Sequence, residues 1–137
     1  MRPVLYRTVQ ALGLFLVAAL AGCRDDQGSV TGTVTFDGRP VTTGAITFMK
    51  TDGGLVREGA VIRDGFFQAR MPPGKYKIEV NAQEVVGKKK QKGFDGNDEE
   101  VELTKEMFPD RYNTKTELSK DVSAGANTVI LDLKSKR

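Results

Sequence analysis

From residue 29 onward the chain alternates apolar and polar side chains with a period of two. Val30, Gly32, Val34 and Phe36 fall on one face, with Thr31, Thr33 and Thr35 on the other. That is the pattern of a half-buried strand rich in β-branched residues. Asp37-Gly38-Arg39-Pro40 interrupts it as a turn in which Gly38 is free to take a positive φ. Ile46 and Phe48 then share a face in a second strand over 45–50, and Ala60 and Ile62 in a third over 58–62, with the polar break 51–55 (TDGGL) between them. Arg63-Asp64-Gly65 is a hairpin turn of the Asp-Gly kind. It leads into a fourth strand in which Phe67, Ala69 and Met71 point one way. Pro72-Pro73-Gly74 ends that strand, because proline cannot donate to a ladder. Residues 75–81 give the cleanest alternation, with Tyr76, Ile78 and Val80 inward and Lys75, Lys77 and Glu79 toward water.

Residues 82–105 break the pattern, and their centre reads GKKKQKGFDGNDEE. An unstructured loop of this length is uncommon in a compact domain. The flanks are therefore expected to pair as a hairpin, 83–86 opposite 101–104, leaving a mobile tip of about a dozen residues. The lysines of 88–92 and the acidic residues of 98–102 then attract each other, at under about 1 kcal/mol per exposed pair. Phe108-Pro109-Asp110-Arg111-Tyr112-Asn113 reads as a turn, or a single helical turn, that anchors two aromatics. The last strands are expected over 116–122 and 128–133, joined by 123–127, with Val129, Leu131 and Leu133 as the final inward row. About seven short strands with turns every 8–12 residues predict an all-β fold, an antiparallel, immunoglobulin-like β-sandwich.

The N-terminus has a different character. Arg2 and Arg7 precede an uninterrupted apolar run over 11–21, and Leu20-Ala21-Gly22-Cys23 follows at once. These are the parts of an export signal, expected to be helical. The run is too short for a membrane span of about 20 residues. The tetrapeptide resembles the lipobox of bacterial lipoproteins. That resemblance implies cleavage between Gly22 and Cys23, a diacylglycerol on the Cys23 sulfur, and a fatty acyl chain such as palmitate on the new amine. It also implies an extracytoplasmic protein held to a membrane of the cell envelope. Arg24 follows the cysteine in place of the aspartate that retains some lipoproteins at the inner membrane, so the resemblance favours the outer membrane. Two or more acyl chains hold durably, at about 0.8 kcal/mol per buried methylene. The expected organisation is a signal peptide over 1–22, a tether over 23–28 and a sandwich over 29–135 with a long loop or hairpin at about 82–105.

Composition narrows the chemistry. Cys23 is the one cysteine, so the mature domain has no internal disulfide and depends on its core. Removing 22 of the 137 residues leaves 115, enough for one domain. The signal holds two of the 21 basic residues and none of the 18 acidic ones, so the mature side chains sum to +1. A near-neutral domain has no general electrostatic footprint for nucleic acid. There is no histidine. That removes serine–histidine and cysteine–histidine nucleophiles and histidine-built zinc sites.

Several motifs resemble a known family. Val30-x-Gly32-x-Val34, followed by Gly38-x-Pro40-Val41-x-x-Gly44, is similar to the opening of carboxypeptidase-regulatory-like domains. Asp64-Gly65-x-Phe67 and Pro72-Pro73-Gly74-x-Tyr76-x-Ile78-x-Val80 resemble the middle of the same pattern. Phe108-Pro109-x-x-Tyr112-Asn113, with Leu118 and Val122, is similar to small bacterial lipoproteins of this class. The resemblance implies a transthyretin-like (prealbumin-like) sandwich of seven strands, a kind often appended to enzymes, receptors and surface proteins. The hydrolases of that fold depend on histidines, so their activity does not carry over to this chain. One fold hosts many functions, and these motifs are turn and core residues.

Few residues are left as candidates for a site. Phe94, between two glycines, is placed to stack on a sugar, insert into a partner, or fold back on the hairpin. Tyr112 and Asn113 offer hydrogen bonds to a saccharide, or serve as a corner that bonds backbone. Asp64 is most simply a turn residue. The acidic stretch 95–100 offers oxygens of the kind calcium takes, yet does not follow the order of the helical calcium loop. The 88–92 lysines suit anionic headgroups, or plain solvation. No metal or cofactor and no catalytic residue is expected. The expected function is a non-catalytic, lipid-anchored binding or scaffolding module of the envelope, with a protein or glycan as partner. A carbohydrate-binding or transport-accessory protein using the 87–100 loop is the alternative, and a hydrolase using carboxylates alone is a third.

Overall fold

The computed structural model describes residues 26–136. The expected signal helix, Gly22 and Cys23 lie outside the described residues. Ten strands follow one another: β1 Gly28–Phe36, β2 Arg39–Pro40, β3 Thr43–Lys50, β4 Arg57–Arg63, β5 Phe66–Met71, β6 Gly74–Asn81, β7 Gln83–Lys92, β8 Asp98–Glu106, β9 Ser119–Val122 and β10 Gly125–Leu133. One turn of 3-10 helix, Asp110–Tyr112, interrupts them.

Seven of these strands build the sandwich. They form a single hydrogen-bonded path, β10-β1-β5-β4-β3-β6-β9. β4 and β5 pair only at Arg63 and Phe66, which flank the turn. The path bends there, so that β10-β1-β5 and β4-β3-β6-β9 face each other. Phe48 of β3 meets Phe67 of β5 across the gap, with ring centroids 6.0 Å apart. Val30, Val34, Ile46, Ile62, Met71, Ile78, Val80 and Leu133 belong to the same continuous core. These are the inward positions of the two-residue alternation. Each large side chain buried this way contributes roughly 1.5–3 kcal/mol.

Both Asp-Gly turns form as their residues dictate. Asp37 and Gly38 have φ of 48° and 80°, and Asp64 and Gly65 have 50° and 81°. Two successive positive values match the right-handed twist of a two-residue hairpin. Asp37 also accepts the Ser135 N–H at 2.9 Å, and that bond holds its carboxyl below the usual aspartate range.

Three expectations need correction. The sandwich is not wholly antiparallel: β10 runs parallel to β1 in register from Gly28↔Gly125 to Phe36↔Leu133. The reason is the short link Ser123-Ala124. It crosses from the edge of one sheet to the edge of the other, so β10 must start at the end where β9 stops and β1 begins. Asn127 clamps this crossing. Its carboxamide donates to the carbonyls of Ser123 (2.7 Å) and Gly125 (3.0 Å) and accepts the Ser123 N–H (2.9 Å). β9 is also shorter than 116–122, because the Thr116 hydroxyl donates to the Ile78 carbonyl while the Leu118 carbonyl accepts the Ile78 N–H. Lastly, 83–106 is not a loop with short paired flanks but a full hairpin, described below.

The strand ends define two poles. Gln27, the residues between β5 and β6, the 51–56 loop and the β9–β10 crossing share one. Thr51 N–H donates to the Lys75 carbonyl (2.8 Å) and Gly125 N–H to that of Gln27 (3.1 Å) there. The other pole carries Phe36, Phe108, Tyr112 and Lys134, with Phe36 edge-on to Phe108 at 5.1 Å.

Gly32 lies between its register partners Phe67 of β5 and Val129 of β10, with no room for a side chain. A Cβ at this position would lie 2.6 Å from the Phe67 ring and would also strike the Val129 carbonyl. Gly32→Ala should therefore cost about 1–3 kcal/mol in chemical denaturation, the usual cost of overpacking. Gly59→Ala in β4, where the nearest atom is 3.8 Å away, should be neutral or gain about 0.5 kcal/mol.

Candidate functional site

The hairpin of β7 and β8 forms its own two-stranded sheet. Its register runs from Gln83↔Glu106 to Lys92↔Asp98. The expected pairing of 83–86 with 101–104 is displaced, because Glu84 lies opposite Lys105 and Val85 opposite Thr104. A bulge then leaves Val86 without an opposite residue. Pairing continues far beyond the expected flanks, and the tip shrinks to residues 93–97. About 30 Å of two-stranded ribbon results, at roughly 3.3 Å per residue.

The reason for this extension is charge. Lys88, Lys90 and Lys92 lie on one face directly opposite Glu102, Glu100 and Asp98. Lys92 meets Asp98 at 2.8 Å, and Lys88 reaches diagonally to Glu100 at 3.4 Å. Each such exposed pair stabilises by 0 to about 1 kcal/mol, but several in a row align the strands. The lysine run is therefore split between two faces, and three of its four lysines look at carboxylates rather than at a single open surface.

The neck is held by Glu106. One carboxylate oxygen accepts the Ala82 N–H at 3.1 Å and the Phe108 N–H at 3.2 Å, while the Met107 N–H donates to the Ala82 carbonyl at 2.8 Å. A carboxylate that satisfies two backbone donors fixes where the ribbon leaves the sandwich. It leaves from the pole opposite Gln27, since β6 ends there. Sequence reasoning missed Glu106 because it stopped the irregular region at residue 105; the acidic residue next to the two apolar ones, Met107 and Phe108, was the available signal.

At the tip, Phe94 is fully exposed (111%) and does not fold back on the hairpin. Gly96, with φ of 81°, and the bond from Gly93 N–H to the Asn97 carbonyl (2.8 Å) close the turn around it. The Asp95 carboxylate accepts both the Asn97 backbone N–H (3.0 Å) and its side-chain amide (2.7 Å), and these bonds lower its pKa. The acidic residues are thus engaged separately. Among the described residues, no three histidine, cysteine or acidic side chains converge as a metal site.

The structure does not bring Tyr112 and Asn113 to Phe94. Tyr112 accepts the Lys134 N–H at 3.0 Å, with the Arg111 guanidinium 4.7 Å over its ring. Asn113 is buried (4%), and its side chain accepts the Thr114 N–H at 2.6 Å. Both close the far pole of the sandwich. Asp64 sits in its hairpin turn. A second exposed feature lies on the outside of β10-β1-β5 and reaches Val61 and Arg63 of β4. It is a shallow concavity of about 820 Å³ with Thr31, Thr33, Gln68 and the exposed Val61, Phe66 and Ile130 along it. The outward parity of Phe66 and Ile130, next to inward Phe67 and Val129, was the sequence signal for it.

Glu106→Ala should leave two backbone donors without an acceptor. Amide exchange at 82–92 and 98–108 should rise while the sandwich strands stay protected. The Asn97 amide resonance should titrate with a midpoint below the ordinary aspartate value of about 3.9. Because the folded pKa is lowered, the tip is pinned above that range and loosens as pH falls through it. Asp95→Ala should abolish the titration.

No protein-family model matches this sequence, and no curated protein does. Among solved structures, a 9R-lipoxygenase from Cyanothece PCC8801 is similar over 85% of this chain and 17% of its own, at 11% identity and a TM-score of 0.32. A likeness of that size carries no argument about fold or activity.

Proposed function

We propose that this protein is a lipid-anchored module of the cell envelope that offers a charged, aromatic-tipped arm to a partner away from the membrane. The observation that carries this reading is the polarity of the fold. The segment after Cys23 enters at one pole, where Gln27 is bonded to Gly125, and the hairpin leaves from the other through the Glu106 neck. An anchor at Cys23 therefore directs Phe94 away from the lipid. The arm is suited to docking: its surface is exposed along both strands, and one aromatic stands free at its end. A rigid exposed aromatic is a common anchor in protein interfaces.

The transthyretin-like reading fits the same picture. Gly38, Asp64-Gly65 and Pro72-Pro73 make turns, and Tyr76, Ile78 and Val80 make core, so the family-like motifs supply scaffold and none of them falls on the arm. The outer membrane is the proposed site, from Arg24 after the lipidated cysteine.

A photo-crosslinking amino acid at position 94, in intact envelopes, tests the arm. A discrete protein adduct is expected from position 94 and not from position 53, at the opposite pole. The partner reading falls if position 94 yields no adduct. Binding of the wild type to a glycan array, lost in Phe94→Ala, would replace the protein partner with a saccharide. Cys23→Ser should abolish labelling by a fatty-acid probe and release the protein; persistent labelling would sink the anchor.

A further inference from the structure

We infer that the pole next to the tether rests on the lipid surface itself, with the loop over residues 51–56 as the contact and Leu55 as the side chain that enters the bilayer. This rests on the anchored reading above and adds a second, non-covalent contact to it.

Tether length brings the pole within reach. Gln27 is already fixed, because its carbonyl accepts the Gly125 N–H at 3.1 Å. From Cys23 to Gln27 is four residue steps, at most about 14 Å when fully stretched. That is less than half the length of nine-residue β1, about 30 Å. A sandwich anchored at Cys23 cannot lift this end far from the headgroups.

The loop belongs to this end. Lys50 N–H donates to the Val56 carbonyl (2.9 Å) and Thr51 N–H to that of Lys75 (2.8 Å), which closes 51–56 against the start of β6. A Cβ built at Gly74 would lie 2.7 Å from the Asp52 carboxylate, so the loop touches the start of β6 directly. β6 starts where β9 ends, with Gly74 opposite Val122.

The loop presents its leucine outward by construction. Gly53 and Gly54 have φ of 86° and 79°. Two consecutive left-handed residues form a path that glycine takes at no steric cost. It leaves Leu55 fully exposed (106%), with no share in the core. Among the described residues, Leu55 is the one exposed large hydrophobic side chain at this pole. Phe94 is at the other, and Val61, Phe66 and Ile130 lie along the strands.

Several charges near this end sit close to opposite ones. Lys50 lies 3.9 Å from Asp52, Arg57 lies 3.4 Å from Glu79, and Lys75 is directly opposite Asp121. Pro72, Pro73, Ala124 and Ala126 add uncharged surface here. The proposed contact is apolar and needs no anionic lipid. The lysines of β7 belong to the far arm and take no part.

The test uses the lipidated protein in zwitterionic phosphatidylcholine vesicles. Once Cys23 is acylated the chain has no other cysteine, so Leu55→Cys supplies a single thiol for a polarity-sensitive fluorophore, and Phe94→Cys a companion. At position 55 the emission should shift to the blue on reconstitution, be quenched by spin-labelled lipid and become inaccessible to iodide. At position 94 it should stay water-like, and raising the salt should change neither. To separate the leucine from the dye, the label is moved to Ala124→Cys with Leu55 intact. Lipid quenching there should be lost in Leu55→Asp. If the protein floats with the vesicles while the position-55 label is as aqueous as that at 94, the anchor stands and this inference is overturned. The inference is also overturned if both positions enter lipid, or if Leu55→Asp leaves the quenching at 124 unchanged. A protein that does not float removes the anchor and this inference together.

Discussion

Phe67 packs against Phe48 across the sandwich with its ring lying over Gly32, its neighbour on β1, where no side chain stands. Sheets that face each other stand about 10 Å apart, and two large rings fill that gap. Gly32 supplies the room at the centre of β1, with the Phe67 ring lying against its backbone. Around this contact the inward residues of seven strands close into one core. The domain has neither a disulfide nor a long helix to assist, so the core's continuity carries its stability. A closed core also makes the strand ends meaningful, since every loop must leave from one of two poles.

The β9–β10 crossing assigns those poles. Two residues suffice to change sheets, and the Asn127 carboxamide satisfies the backbone groups the corner exposes. That leaves β10 to run beside β1 in parallel, an arrangement reached through a sheet change rather than a helical crossover. Gln27, the 51–56 loop and the crossing then share one end, while the Glu106 neck opens the other. Both functional readings follow from this separation. On the proposed reading, membrane contact falls to the end with Leu55 and recognition to the arm that ends in Phe94.

The candidate site was legible in part. Phe94 between glycines stood out, and the opposite charges of 88–92 and 98–102 implied a hairpin. The extent of pairing was not legible. The bulge at Val86 shifts one strand against the other, and no local preference of valine marks it. Tyr112 and Asn113 offered polar atoms to a ligand in sequence, but the fold uses those atoms on the Lys134 and Thr114 amides. Glu106 lay one residue outside the stretch that seemed irregular, and its role exists only once Ala82 and Phe108 are side by side.

What the sequence determined by itself was parity and punctuation. The pleat makes side-chain direction a local property, so the inward rows of β1, β3, β5, β6 and β10 could be read residue by residue. The Asp-Gly turns are equally local, because their positive φ values depend on two residues. What the tertiary structure decided was partnership. A strand's alternation is the same whether its neighbour runs parallel or antiparallel, and an exposed leucine in a glycine loop has no meaning until the loop is assigned to an end. Pairing direction, hairpin register and the division into two poles come from contacts between residues distant in the chain, and only the closed core brings those residues together.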